Sequence, residues 1–315
     1  MPPVLEHRSL ANQNVLVAGG TGFIGQVLVR KLEERGALVT VLARSHPLES
    51  CARRTLVVDD WQPQALVWAL SPHRYDAVFN LAAYGVAPVA RDIRQMIQIN
   101  VDVASALVCA AKACGARMYV HVGSCSEYDA TSATSAIAEE HLLQARSLYG
   151  SSKAAGTLVA CATAAAEELA FVAARLFHVY GSGESGHRLM PTLARRLSAG
   201  ERVPLSPGTQ VRDFLHVDDA ADGLLSLACA GMAIGGQHIV NLGTGVATSV
   251  RDFALAVSAA TRTSPSLLGF GDIRFRPDDV MHLVADTRRL GDLTGWRPKR
   301  DVTTGIMQAL QGLKT

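Results

Sequence analysis

The chain has 315 residues, of which 49% are hydrophobic and 18% are charged. Its 30 Lys and Arg residues against 28 Asp and Glu residues leave a formal net charge of +2. The apolar content excludes a disordered chain, and the balanced charge argues against a nucleic-acid partner, which would need a basic surface. No apolar run reaches the roughly 18 residues of a membrane span, and residues 1–13 lack the apolar run of a secretory signal.

The length fits one large domain or two coupled domains. Six scattered cysteines without CxxC spacing disfavour disulfides and a zinc site, and no other metal site is predicted. Because reduced cysteines are typical of a reducing compartment, we expect a cytoplasmic protein.

The predicted elements alternate between strands and helices over about the first 175 residues. An apolar run at 14–18 predicts a strand, and the apolar spacing that follows Phe23 predicts a helix. Further strands are predicted at 37–44, 55–58, 77–81, 117–122 and 170–176, and further helices at 63–70, 96–114 and 149–169. This alternation predicts an α/β fold with a doubly wound parallel sheet.

The pattern changes beyond Tyr180, where glycine and proline become frequent and two helices are predicted at 220–230 and 250–261. We interpret residues 1–178 as a Rossmann-type dinucleotide-binding domain, to which a later segment at about 212–245 returns. Residues 179–315 are interpreted as mainly a smaller C-terminal α/β lobe that binds substrate.

A glycine-rich turn, GGTGFIG at 19–25, joins the first predicted strand to the first predicted helix. Glycines allow a sharp turn and let a pyrophosphate approach the backbone, while the helix N-terminus supplies free N–H groups and a positive dipole. We therefore predict a dinucleotide site at this turn. Its predicted contacts are Gly19, Thr21, Gly22, Phe23, Ile24 and Gly25.

The end of the second predicted strand distinguishes the two nicotinamide cofactors. An acid there holds the ribose of NAD, whereas an arginine accommodates the 2′-phosphate of NADP. This strand ends in Arg44 and Ser45 without an acid, so we expect NADP(H), with NAD(H) left open. Asp60, after the third strand, is interpreted as an adenine contact or as an ordinary loop acid.

Tyr149 and Lys153 stand four residues apart at the start of a predicted helix, and this spacing places them on one face. A tyrosine with its ordinary pKa of about 10 is a poor acid–base catalyst at neutral pH, and an adjacent cation would lower that pKa. Ser124, at the end of an intervening strand, completes a candidate catalytic set.

Together these motifs resemble the extended short-chain dehydrogenase/reductase family, in particular its nucleotide-sugar branch, the NAD-dependent epimerase/dehydratase family. The resemblance covers nearly the whole chain. Its motifs, in the family's order, are GGTGFIG, FNLAA (79–83), the strand-end Ser124, YGSSK (149–153), RLFHVYG (175–181), RDFLHVDD (212–219), NLGTG (241–245), RPDD (276–279) and the GWxP of Gly295, Trp296 and Pro298.

The resemblance implies a role for each matching residue. Ser124 would hydrogen-bond the sugar oxygen, and Tyr149 would transfer its proton. Lys153 would hold the nicotinamide ribose, while Arg212 and Arg276 would bind the substrate pyrophosphate. The FNLAA motif adds predicted cofactor contacts at Leu81, Ala82 and Ala83.

The family usually has Asn, a substrate-phosphate contact, where this chain has His178. The histidine can still donate a hydrogen bond and could carry charge near neutral pH, or the change has no consequence. Two other ring-bearing side chains, His216 and Trp296, are interpreted as packed residues.

The residues after Ser124 distinguish the reactions of this branch. Family dehydratases place an acid one or two positions beyond it, where this chain has Cys125 and Ser126, so dehydration is disfavoured. The stretch 123–128 is similar to that of 4-ketoreductases of the GDP-6-deoxy-mannose type. A net reductase also gains from NADPH, consistent with Arg44. We therefore expect NADPH-dependent reduction of the C4 ketone of a nucleoside-diphosphate 4-keto-6-deoxyhexose.

Two alternatives stay open at this point. A nucleotide-sugar 4-epimerase would hold NAD tightly and would consume no cofactor. A non-enzymatic dinucleotide sensor would be expected to lack the tyrosine and lysine, and both are present. The family's usual four-helix interface also predicts a homodimer through helices 101–114 and 149–169.

Overall fold

The structure is a computed structural model that describes residues 10–45, 54–87, 89–144, 146–276 and 279–312. Cys51 and two positions of the RPDD motif, Pro277 and Asp278, lie outside these ranges. The described strands are β1 (Asn14–Ala18), β2 (Leu38–Ala43), β3 (Arg54–Val57), β4 (Ala77–Asn80), β5 (Met118–Ser124), β6 (Ala170–Leu176), β7 (His178–Tyr180), β8 (Val203–Leu205), β9 (Val211–Arg212), β10 (Phe214–His216), β11 (Gln237–Leu242), β12 (Thr248–Ser249), β13 (Leu268–Phe270) and β14 (His282–Leu283).

The helices cover both faces of the large sheet and also build the C-terminal lobe. They are α1 (Phe23–Glu34), α2 (Pro63–Leu70), α3 (Ile93–Ile97), α4 (Val103–Ala113), α5 (Leu148–Ala166), α6 (Leu189–Ser198), α7 (Val217–Ile234), α8 (Val250–Ala260), α9 (Arg288–Thr294) and α10 (Val302–Gly312). A π-helical turn, Gln98–Asp102, joins α3 to α4, so the helix predicted at 96–114 starts earlier and is interrupted.

The large sheet has seven parallel strands in the order β11-β6-β5-β4-β1-β2-β3. This is the predicted doubly wound Rossmann-type arrangement, in which the strand order reverses between β1 and β4. The inner strands β1, β4, β5 and β6 are buried on both faces, which explains their nearly continuous apolar sequences. One apolar core fills the side of α1 and α7, and a second fills the side of α2, α4 and α5.

The segment Ile93–Ala113 is long and apolar enough to cross a membrane by length and composition. Half of its most apolar window is buried inside the protein, and one such helix is weak evidence for a span. Its π-helical turn packs closely against α5, because a side chain at Gly156 would collide with the carbonyl oxygen of Asn100. We interpret this segment as a core helix.

The C-terminal lobe has an apolar core of its own, to which α6, α8 and α10 contribute. A stacked pair of rings, Phe214 and Phe253, lies at its centre with ring centroids 4.0 Å apart. Beyond this lobe, α7 packs on α1, and β11 forms one edge of the large sheet.

Candidate active site

Glycines shape the turn between β1 and α1. Gly19 has φ +78°, a conformation that favours glycine, and a Cβ atom there would lie 2.7 Å from the carbonyl carbon of Leu81. The N–H of Gly22 donates to the Gly19 carbonyl at 3.1 Å. The first turn of α1 contains no acid, so no carboxylate there would repel an anion bound at its N–H groups.

A first cavity of about 500 Å³ opens at this turn. Its lining comes from the turn, the end of β2, the loop after β3 and the loop after β4: Gly19, Thr21, Gly22, Leu42, Ala43, Arg44, Ser45, Trp61, Leu81, Ala82, Ala83, Tyr84 and Ile99. Arg44 is exposed in this lining, and no Asp or Glu of the described chain joins it. The cavity therefore suits an anion beside Arg44.

Three predicted cofactor contacts, Phe23, Ile24 and Gly25, do not line this cavity. Gly25 is buried, and a side chain there would collide with Gly19, so Gly25 serves close packing of α1 on the turn. Phe23 and Ile24 line a second cavity instead.

The prediction for Asp60 is not supported by its position. Asp60 is exposed and lies outside the lining of the first cavity, and its carboxylate accepts the N–H of Gln62 at 2.8 Å, at the start of α2. Its neighbour Trp61 is buried in that lining, and the indole N–H donates to the Val58 carbonyl at 2.8 Å. Trp61 was not predicted from sequence, although a tryptophan just after a strand end offers a large flat surface on which another ring could stack.

The second cavity, of about 550 Å³, lies beside the first, and Leu81 and Ala83 line both. It brings together the three predicted catalytic residues: Ser124, Tyr149 and Lys153. Ser124 ends β5, and its hydroxyl accepts the N–H of Ser126 at 3.1 Å.

The start of α5 fixes Tyr149 and Lys153. The hydroxyl of Ser147 caps the helix by accepting the Gly150 N–H at 3.0 Å. Gly150 has no side chain because a Cβ there would collide with the Ser126 carbonyl, so the helix starts pressed against the segment after Ser124. The buried Lys153 ammonium donates to the Val122 carbonyl at 2.8 Å.

The hypothesis that Lys153 lowers the pKa of Tyr149 is wrong for this structure. Burial raises the pKa of Tyr149 to about 12, and a hydrogen bond with Ser124 opposes that shift. Burial also lowers the pKa of Lys153 to about 8, against the attraction of Glu127. Tyr149 is therefore a neutral phenol at physiological pH, ready to donate a proton.

A third cavity, of about 470 Å³, continues from the second, since His178, Glu184 and Arg188 line both. It contains both predicted substrate arginines, Arg212 and Arg276. Two further arginines that were not predicted from sequence, Arg188 and Arg274, also line it. Arg188 pairs with Glu184 at 3.2 Å, whereas the Arg212 guanidinium donates to the carbonyls of Val211 and Val280. Because loops from distant parts of the chain meet here, only the motif arginines could be found from sequence.

His178 is a neutral side chain, contrary to the hypothesis that it carries charge near neutral pH. Burial lowers the pKa of His178 to about 3, and the positive charges of Arg212 and Arg188 lower it further. His216 is packed as predicted, because it is buried and its Nδ1 accepts the Asp218 N–H at 3.2 Å. Trp296 packs partly buried against the main core, also as predicted.

The chain matches the sequence profile of the NAD dependent epimerase/dehydratase family over residues 15–243. It is similar to dTDP-6-deoxy-L-talose 4-dehydrogenase (NAD(P)(+)) of Kitasatospora kifunensis, with 36% identity over 310 residues that cover 95% of each chain. It is also similar to UDP-glucose 4-epimerase of Mycolicibacterium smegmatis, with 26% identity over 309 residues, 94% of this chain and 97% of the relative.

Among solved structures, the chain resembles MoeE5 in complex with UDP-glucuronic acid and NAD. The TM-score is 0.82 and the identity 30%, over 96% of this chain and 99% of MoeE5. The profile match, the full-length relatives and the motif geometry agree. The chain belongs to the NAD-dependent epimerase/dehydratase family, a group of extended short-chain dehydrogenase/reductase enzymes.

Proposed function

We propose that the protein reduces the C4 ketone of a nucleoside-diphosphate 4-keto-6-deoxyhexose with NADPH. The observation that carries this proposal is the line of three adjoining cavities. Arg44 lies in the first, Ser124 and Tyr149 lie in the second, and Arg212 and Arg276 lie in the third. This order fits a dinucleotide at one end, a sugar in the middle and a second diphosphate at the other end.

The residues of the second cavity have separate tasks. Tyr149, a neutral phenol, donates its proton to the carbonyl oxygen of the sugar. Ser124 donates a hydrogen bond to the same oxygen and so stabilises the charge that develops there. The Lys153 ammonium supplies a positive charge behind this pair and a donor for a ribose hydroxyl.

The first cavity fits a phosphorylated dinucleotide. The N-terminus of α1 and the glycine backbone suit the diphosphate, and Arg44 suits a 2′-phosphate, with no acid in the described lining to repel it. When bound, the reduced nicotinamide supplies a hydride to the C4 carbon. A reduction of this kind would consume one NADPH for each sugar.

Two observations favour reduction over dehydration. The nearest carboxylate after Ser124 is Glu127, which is fully buried and paired with Arg175, so no free acid faces the second cavity from this segment. The Kitasatospora relative is named as a 4-dehydrogenase of dTDP-6-deoxy-L-talose that uses NAD or NADP. Reduction at C4 is the reverse direction of that chemistry.

A 4-epimerase is the second candidate, since the chain is also similar to UDP-glucose 4-epimerase over nearly its whole length. The two functions differ in their use of cofactor. Purified protein is mixed with NADPH and a panel of nucleoside-diphosphate 4-keto-6-deoxyhexoses while the absorbance of NADPH is followed. We expect oxidation of NADPH with at least one sugar. An epimerase would instead interconvert a 4-hydroxy nucleotide sugar and its C4 epimer without added cofactor. Inertness toward the whole panel of 4-keto sugars would overturn the proposed reduction.

We further propose that the protein is a cytoplasmic homodimer. Apolar side chains remain exposed on α5, one of the two helices of the predicted interface, at Leu158 and Val159. Two more are exposed on α3, which precedes the other predicted helix, at Ile93 and Ile97. The expected result of light scattering is a mass twice that of the chain. A monomeric mass at working concentration would contradict the dimer.

A further inference from the structure

The Glu127 carboxylate lies fully buried beneath the second cavity. Its Oε1 accepts the backbone N–H of Ser124 at 2.8 Å and the hydroxyl of Thr157 at 3.0 Å. Its Oε2 accepts the Nε–H of Arg175 at 2.7 Å. A buried charge is costly unless it is paired and hydrogen-bonded, and three donors on three different elements meet this requirement.

Arg175 is almost as deeply buried, with 2% of its side chain exposed. Its Nη1 donates to the Tyr128 hydroxyl at 2.9 Å, and that hydroxyl donates to Asn241 at 2.6 Å. The guanidinium also lies 4.6 Å from the centre of the Tyr128 ring. The pair is therefore anchored to β11 as well as β6, and Glu127 has little freedom to move.

Gly123 provides the space for this carboxylate. A Cβ atom at Gly123 would lie 2.6 Å from Oε1 of Glu127 and 3.2 Å from Cγ of Arg175. The glycine before Ser124 is therefore required by the side chain that is folded over it.

Thr157 connects the same carboxylate to the catalytic helix. It follows Lys153 by one turn and Tyr149 by two turns, on one face of α5. A single oxygen of Glu127 thus joins the backbone of Ser124 to the helix face that carries the other two residues.

We propose that Glu127, held by Arg175, is a positioning residue that fixes Ser124 opposite Tyr149 and places a negative charge behind Lys153. This role rests on the proposed function only because it assumes that Ser124, Tyr149 and Lys153 carry out the reduction. It accounts for a buried ion pair that contacts no cavity described above.

The charges around the two titrating groups set the expected pH dependence. Glu127 raises the pKa of Lys153 against burial, and the other ionisable group that faces Lys153 is the buried His121. Around Tyr149, burial raises the pKa, the hydrogen bond with Ser124 and the charge of Arg188 lower it, and Cys125 and Glu127 raise it. Without the charge of Glu127, both pKa values fall, so the protonated forms that the reaction needs are lost at lower pH.

The test compares Glu127→Gln with Asp219→Asn. Asp219 is also a buried carboxylate paired with an arginine, because it accepts Nη1–H of Arg300 at 2.6 Å. No hydrogen bond among the described residues joins Asp219 to Ser124, Tyr149 or Lys153. Each variant therefore removes the negative charge of a buried carboxylate that is paired with an arginine. Only Glu127→Gln does so next to the catalytic residues.

We expect Glu127→Gln to lower kcat by up to about 100-fold with little change in KM, because the catalytic geometry is loosened. The basic limb of its pH–kcat profile should move to lower pH. Asp219→Asn should lower the melting temperature but leave that limb in place. An unchanged limb and kcat in a folded Glu127→Gln protein would overturn the proposal, as would the same limb shift in Asp219→Asn.

If Glu127→Gln does not fold, Thr157→Val decides. It removes one of the bonds to Oε1 and leaves the charge in place, so kcat should fall while the basic limb stays where it is. An unchanged kcat would overturn the positioning role. Turnover by the wild-type protein in the same assay tests the proposed function separately from these variant comparisons.

Discussion

The first and third cavities both suit anions, yet they are built in different ways. The first is formed by the glycine backbone and a helix N-terminus, and Arg44 is the only arginine among the described residues that line it. The third gathers four arginines from separate segments of the chain. A helix N-terminus neutralises a diphosphate without side chains, whereas a loop-built lobe needs charged groups. Substitution of one arginine in the first cavity should therefore change the preference for NADPH over NADH. Substitution of one arginine in the third should lower the affinity for the sugar nucleotide.

The sharpest test of this division is Tyr149→Phe, which removes the proton donor between the two cavities. We expect kcat to fall by about 10²- to 10⁴-fold, the usual contribution of a general acid. The dissociation constants of NADPH and sugar nucleotide should stay within a few fold, as calorimetry would show. A variant with nearly full activity would mean that Tyr149 is not the acid, and a sensor would show no activity to lose.

Arg212→Gln tests the third cavity. Loss of a charge-assisted hydrogen bond is worth about 1.5–3 kcal/mol, so the sugar nucleotide should bind roughly 10- to 100-fold more weakly. NADPH affinity should not change. Arg202→Gln serves as the control, because Arg202 is an exposed arginine of the same lobe that pairs with Asp272 outside this cavity. Equal losses in both variants would contradict a specific role for Arg212.

Arg44→Ser tests the first cavity. We expect kcat/KM for NADPH to fall by about 10-fold, since one phosphate contact is lost. The value for NADH should stay nearly constant, because the glycine backbone that holds the diphosphate is untouched. If kcat/KM falls equally for both cofactors, Arg44 does not bind the 2′-phosphate and the predicted preference for NADP is wrong.

His178→Asn should have the smallest effect. Burial holds the pKa of His178 at about 3, so the imidazole is neutral throughout the physiological range. The change should alter kcat/KM by less than about 3-fold and leave the pH profile between 6 and 8 unmoved. An acid limb in that range that disappears in the variant would show that His178 carries charge after all.

The large sheet and the glycine turn could be predicted from sequence, because whether a segment forms a strand or a helix depends on the spacing of apolar residues close together in the chain. The bounds of β1, α2 and β6 agree with the prediction to the residue. The motif residues Ser124, Tyr149 and Lys153 meet in one cavity because the carboxyl end of β5 and the N-terminal turns of α5 lie at the same edge of the sheet.

Features that depend on burial or on distant loops could not be predicted in the same way. The pKa of Tyr149 rises because the folded protein excludes water from the phenol, and no local pattern measures that exclusion. Asp60 and Trp61 are neighbours, and only the course of the loop decides which of them enters the first cavity. Arg188 and Arg274 lie outside any motif, so their convergence needed the fold.

The central claim is a net hydride transfer from a cofactor in the first cavity to a sugar in the second, and isotope transfer tests it most directly. The protein is incubated with an active 4-keto sugar nucleotide and NADPH deuterated on the transferring face of its nicotinamide. The proposed function predicts one deuterium at C4 of the product and one oxidised cofactor for each sugar converted. A product without deuterium at C4, or unreduced sugar with no net oxidation of NADPH, would contradict it.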